Sequence, residues 1–157
     1  MKNPDLVIAS LSNAPGMIIP LVYDIPAEFR KRRPLPQKWS AHEHACHLAK
    51  VNPVFSARLD QILSEPVPRI VSYVPDEAEG EGALLQMNLD EAMDQFTQER
   101  KDLVIRLKNL SEQDWSRVAE HEEYSHYSVF IMFRHLAMHD MLHAFRIEEL
   151  LLKKDWA

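Results

Sequence analysis

The sequence predicts an all-α protein, a four-helix bundle with one long crossover connection. Apolar residues recur at helical spacing in four separate segments, and no segment shows the strict alternation of a half-buried strand. Only 3 of the 157 residues are glycine, against a usual share near 7%, which disfavours a turn-rich β architecture. Residues 65–86 form a connection too long for a tight antiparallel turn and suited to a crossover between bundle helices. The whole chain, 1–157, reads as a single domain. A chain of this length buries roughly 70% of the surface it exposes when unfolded, enough for a core without staples.

The first helical segment covers residues 4–24, as one kinked helix or two short ones, because Pro15 and Pro20 interrupt its apolar runs. A turn ending at Pro34 and Pro36 follows. Ser40-Ala-His-Glu43 is a capping box: the Ser40 hydroxyl accepts from the Glu43 amide, and the Glu43 carboxylate reaches back to the Ser40 amide. It opens a second helix over 41–63, with a kink expected at Pro53. The acidic connection 65–86 is read as irregular. Asn88 caps a third helix, along which Leu89, Met93, Phe96, Leu103 and Leu107 recur at helical spacing. It ends near Leu110-Ser111, and a second irregular stretch runs to Ser128. The last helix covers 129–153 and closes on Lys153-Lys154, which suits the negative end of a helix dipole.

Charge and cysteine content narrow the function classes. Lys and Arg number 18 against 24 Asp and Glu, a net charge of −6, which argues against nucleic acid or an anionic membrane as partner. The single cysteine, Cys46, excludes an internal disulfide, so a reducing, cytoplasmic compartment is expected. The N-terminal residues do not read as a signal peptide, and no run approaches the ~18 consecutive apolar residues of a membrane helix.

Histidine is the first sign of chemistry. There are 8, and six fall in two short segments: His42, His44 and His47, then His135, His139 and His143. At about 100° per residue, His139 and His143 straddle the centre of the stripe formed by Met132, Leu136, Ile147 and Leu150. His135 points with Lys153 and Arg146. The inward pair is therefore His139/His143, and two histidines four apart on one helical face can bind one metal ion. A single inward histidine is explained by one partner in the core. Two side by side each need a buried partner, and one metal satisfies both. A third ligand is required. In the second helix His44 falls inside the Leu48/Val51/Phe55 stripe, His47 on its shoulder, and His42 faces away, toward solvent. Spacing slightly favours His44, and the Pro53 kink weakens the phase.

The stretch Trp39-Ser40-Ala-His-Glu43-Ala-His-Ala-Cys-His47-Leu48 resembles the W-[ST]-x-x-E-x-x-x-H-[LV] motif of the DinB superfamily. His139-Asp-Met-Leu-His143 resembles that family's closing H-x-x-x-H. Arg32-Arg33-Pro34 and Leu110-Ser111-Glu112-Gln113-Asp114 are similar to it as well, all in the right order over nearly the whole chain. The resemblance implies a four-helix bundle of unusual topology, often a homodimer. It also implies a divalent-metal site made of His47, His139 and His143, and so overrides the spacing preference for His44. Glu43 matches a family position too, but the capping box explains it without chemistry.

Three neutral imidazoles with an open fourth position are the layout of a catalytic zinc site, and nickel or ferrous iron are the alternatives. A water or thiol in that position is acidified. The resemblance implies transferases using small thiols such as bacillithiol or mycothiol, an isomerase, and hydrolases. The expectation is a metal-dependent thiol transferase or hydrolase acting on a small molecule. The rivals are a non-catalytic metal-binding or stress-linked helical module, and a metal-free helical dimer with core histidines. Cys46 reads as a packed thiol. His121, Tyr124, His126 and Tyr127 read as solvated loop residues that a bundle could place over the site mouth. Arg134 and Asp140 read as surface or ion-pair residues, and Met132, Met138 and Met141 as core or dimer interface.

Overall fold

A computed structural model describes residues 2–75, 80 and 82–153. Among them are six helices and two very short strands: α1 (Pro4–Asp24), α2 (Ala41–Ser64), β1 (Arg69–Ile70), α3 (Ala83–Gln86), α4 (Leu89–Lys108), α5 (Glu112–Ser116), β2 (Glu120–His121) and α6 (Val129–Leu151). The four long helices are the four expected from the sequence.

α1 is one continuous helix of 21 residues despite Pro15 and Pro20 inside it, with the Asn3 side chain accepting from the Leu6 amide. By length and composition alone α1 is apolar enough to cross a membrane, which a count of consecutive apolar residues overlooks. In the fold its apolar side enters the core through Val7, Ile8, Leu11, Ile18 and Val22. The Ser40/Glu43 capping box opens α2 as expected, and α2 runs through Pro53 to Ser64. Asn88 caps α4. α6 stops at Leu151, so Lys153 lies past the last turn, and Lys154 lies outside the described residues.

Both connections carry more order than their sequences signal. The crossover contains β1 and α3; four of its acidic residues, Asp76, Glu77, Glu79 and Glu81, lie outside the described residues. The stretch before α6 contains α5, opened by a second capping box of Ser111 and Asp114, and β2. β1 and β2 pair in parallel, Arg69 opposite Glu120 and Ile70 opposite His121. The Glu120 amide donates to Pro68 O at 2.9 Å, and the Ser72 amide to a Glu122 carboxylate at 3.2 Å. Arg117 reaches the end of α2, its Nε donating to Ile62 O at 2.8 Å.

The core has two clusters stacked along the bundle. One joins Val7–Leu11, Val51–Ile62, Leu103–Leu107 and Val129–Ala137, and the other Ala14–Ile25, Ala41–Ala49, Ala92–Phe96 and Ala144–Leu150. The clusters follow in one sense along α1 and α6 and in the reverse sense along α2 and α4. The topology is therefore up-down-down-up, and the parallel step from α2 to α4 requires the crossover. At the boundary between the clusters lies a buried polar hub. Arg100, 1% exposed, donates from Nε to Asn52 Oδ1 at 3.0 Å, from Nη1 to Leu11 O at 3.3 Å, and pairs through both Nη atoms with Asp140. One residue from each long helix meets there, and Asp140 is a buried ion pair rather than a surface group. Burial pushes its carboxyl upward, against the pull of the Arg100 guanidinium. Met132 is core, while Met138 and Met141 are exposed beside Leu142 and Phe145.

Candidate metal centre

The site lies where α2 faces α6, at the level of the polar hub. His47 Nε2 stands 3.0 Å from His139 Nε2, and His143 Nε2 stands 3.0 Å from the same atom. One nitrogen from each ring lies within 4.8 Å of the other two. A zinc ion with Zn–N bonds of about 2.0–2.1 Å holds its tetrahedral ligand atoms about 3.3 Å apart. The three nitrogens are therefore close to a spacing one ion can span.

The protonation states agree with a donor set. Burial, then the neighbouring His139 and His44, pushes His47 down to about 3. Burial, then His135 and Arg100, pushes His139 down to about 4. Burial and the same ring neighbours lower His143 further. All three rings are neutral near pH 7, so each has a lone pair to offer. The geometry thus fits a divalent cation, without selecting which one.

Local folding explains why these rings converge. The capping box sets the start and phase of α2. The Glu43 carboxylate accepts from the Ser40 amide at 2.8 Å, from Ser40 Oγ at 2.9 Å and from Arg33 Nε at 3.0 Å. Burial alone would raise the Glu43 carboxyl, but the bonds from Arg33 and Ser40 outweigh it and hold it below the usual range. Glu43 is thus anchored by the cap and by Arg33. Trp39, just before the cap, lies over the cluster, with ring centroids 4.9 Å from His47 and 6.0 Å from His143. On α6, His139 and His143 are one turn apart on the face turned to α2, and the neighbouring Asp140 is locked by Arg100.

The cluster opens onto a cavity of about 340 Å³. Val51 and Phe55 of α2 form one wall, and Tyr73 of the crossover stacks on His47 at 6.3 Å. His121, Tyr124 and Tyr127 line the mouth, with His121 4.6 Å from both tyrosine rings. The β1–β2 pairing brings these two connections together. Solvated loop residues were expected here, yet Tyr127 is buried and His121 half-buried; Tyr124 and His126 are exposed. Arg58 also lines the cavity, its guanidinium 5.2 Å from the Phe55 ring centre and Nη2 donating to Val71 O at 2.6 Å.

The remaining histidines divide by position. His135 is exposed, lines the cavity and touches Tyr124 at 5.6 Å, but its nitrogens are not in the converging set. His44 is one step out, its Nδ1 2.8 Å from His143 Nδ1. The expectation of a solvated His42 is wrong. It is 2% exposed, and its Nε2 lies 3.1 Å from Leu84 O, fastening α3 to α2. Cys46 is fully buried, and burial pushes its thiol up to about 12, so it is packing and no nucleophile.

A helical bundle with converging histidines beside a cavity defines the class. A family model, the DinB superfamily, matches residues 10–145. The chain belongs to that superfamily. No curated protein matches its sequence. Among solved structures it is similar to YfiT from Bacillus subtilis, described as a probable metal-dependent hydrolase with an unusual four-helix bundle topology. That likeness has a TM-score of 0.88 at 16% identity, covering 100% of this chain and 90% of the other.

Proposed function

We propose that the protein is a divalent-metal-dependent enzyme, with His47, His139 and His143 as ligands and a water or small thiol as nucleophile. The observation that carries this reading is the convergence of three neutral imidazoles at the wall of a cavity rather than in sealed core. A structural site would be closed by four protein ligands; among the described residues three converge. When bound, the ion acts as a Lewis acid that lowers the pKa of a water or thiol beside it. Zinc is the first choice on the donor set, with nickel and ferrous iron as alternatives. The description of YfiT as a hydrolase favours the hydrolytic form of the reaction.

The remaining work falls to the chain's own residues. The rings of Trp39 and Tyr73 cover the imidazoles and limit water at the cluster. Val51, Phe55 and Tyr127 offer an apolar wall, so the substrate is a small molecule with an apolar part. The cavity volume is at the low end of ligand pockets, which run from about 300 to 1,000 Å³. His121 accepts the Glu123 amide at Nδ1, 3.1 Å away, which leaves its proton on Nε2 as a donor at the mouth.

The test is metal content by mass spectrometry on protein purified without a polyhistidine tag. Wild type should carry about one metal per chain. His47→Ala and His139→Ala should lose it, while His135→Ala keeps it. The loaded protein is then screened against esters, amides and small-thiol conjugation. Wild type that stays empty after reloading with zinc or nickel sinks the reading. Metal without turnover, and a cobalt spectrum indifferent to added thiol or azide, would favour the non-catalytic metal module.

A further inference from the structure

We propose that His44 is a positioning residue for the metal centre: it accepts a hydrogen bond from Nδ1–H of His143 and holds that ring with Nε2 turned to the cluster. The inference rests on the reading of His47, His139 and His143 as ligands. The two Nδ1 atoms stand 2.8 Å apart, and the rings are tilted by 54° with centroids 5.0 Å apart. A neutral imidazole has one proton. With Nε2 of His143 offering its lone pair to the centre, that proton sits on Nδ1 and faces His44. His44 Nδ1 is then the acceptor, and its own proton sits on Nε2. His44 approaches His143 through the nitrogen remote from the cluster, so it is a partner of a ligand and not a fourth ligand.

His44 can orient a ring because it is itself held. It stands in the first turns of α2, next to the anchored Glu43, and meets the Trp39 ring edge-on at 5.5 Å. Trp39 in turn lies nearly parallel to His143, 21° between planes. The other two members of the cluster lack such a partner: Nδ1 of His47 and Nδ1 of His139 make no hydrogen bond among the described residues. The outer support of the cluster is therefore concentrated on one hydrogen bond. Such outer partners of ligating histidines are worth about 10- to 100-fold in metal affinity.

The experiment compares wild type, His44→Ala and His44→Asn in the full-length chain, each titrated with zinc against a chromophoric chelator. Asparagine retains an acceptor near the place of the histidine Nδ1, so it separates the hydrogen bond from the ring. Zinc affinity should fall about 10- to 100-fold in His44→Ala and return to within a few-fold of wild type in His44→Asn. In the zinc-loaded, ¹⁵N-labelled wild type, a scalar coupling between the two Nδ1 atoms should report the N–H···N bond directly, independent of either variant's folding. Equal zinc affinity in wild type and His44→Ala overturns the inference and leaves the metal reading standing. So does the absence of that coupling in the loaded protein. Wild type that binds no zinc at all removes the metal reading and this inference with it.

Discussion

Four histidines packed ring to ring, His47 and His143 buried and His44 and His139 half-buried, set the acid limit of the metal-free fold. His44 and His139 are pushed down to about 4 and His47 to about 3, with burial the largest cause in each, and His143 is lowered as well. In the unfolded chain each titrates near 6.5. Below that pH the unfolded state binds more protons than the folded one, so stability falls as pH falls. By pH 5 a histidine that stays neutral in the fold has cost about 2 kcal/mol. Even one such cost is a sizeable part of the whole stability of a domain, about 5–15 kcal/mol. The chelator-stripped protein should lose little melting temperature between pH 8 and 7 and lose it steeply from pH 6.5 down to 5. A melting temperature that does not move between pH 7 and 5 sinks this account. At the same scale, sequence spacing and the structure turn His139 and His143 to the same inward side, because α6 has a single buried stripe. Spacing ranked His44 above His47 and turned His42 to solvent because the start of α2 is buried on nearly every side. Ala41, His42, Glu43, Ala45, Cys46, His47, Leu48 and Ala49 are all buried, so no one stripe there marks the inward direction.

The four long helices are joined at their waist by Arg100, and this junction explains why α6 presents its histidines to α2. Arg100 touches Leu11 of α1, Asn52 of α2 and Asp140 of α6. Removing one member of a buried ion pair strands the other charge and costs about 3–5 kcal/mol, whereas replacing both by apolar side chains is often neutral. Arg100→Met should therefore lower the urea-unfolding free energy by about 3–5 kcal/mol. Arg100→Met with Asp140→Leu should recover much of that loss. A single variant as stable as wild type, or a double variant worse than the single, would falsify the role given to the pair. The hub was not legible as a unit in the sequence, because the partners of Arg100 lie 40 to 89 positions away from it and no local pattern links them. The helices were legible because capping boxes and 3.6-residue spacing are local. β1 and β2 were not: two-residue strands have no period, and their order comes from each other, across 50 positions of chain between Ser72 and Glu122.

Among the described residues, the bundle leaves an apolar face exposed along α6 and α1. Met138, Met141, Leu142 and Phe145 follow at helical spacing along α6, each at least 50% exposed. Leu6 and Met17, more than 60% exposed, lie on one face of α1, and Leu6 borders the same surface hollow as Met138 and Met141. α1 and α6 run parallel and side by side, so the two stripes form one surface. Scattered apolar residues on a surface are ordinary, but a contiguous patch marks an interaction site. We propose a second copy of this chain as its partner, joined about a two-fold axis so that the same patch meets itself. Like charges placed face to face in such an interface cost several kcal/mol, and a two-fold axis repeats every substitution in both copies. Wild type should therefore sediment as a dimer at micromolar concentration. Phe145→Glu should sediment as a monomer with its helical content and its metal content unchanged, because Phe145 lines neither the cluster nor its cavity. A wild type that is monomeric at every concentration, or a Phe145→Glu chain as dimeric as wild type, would remove the patch as the point of self-association.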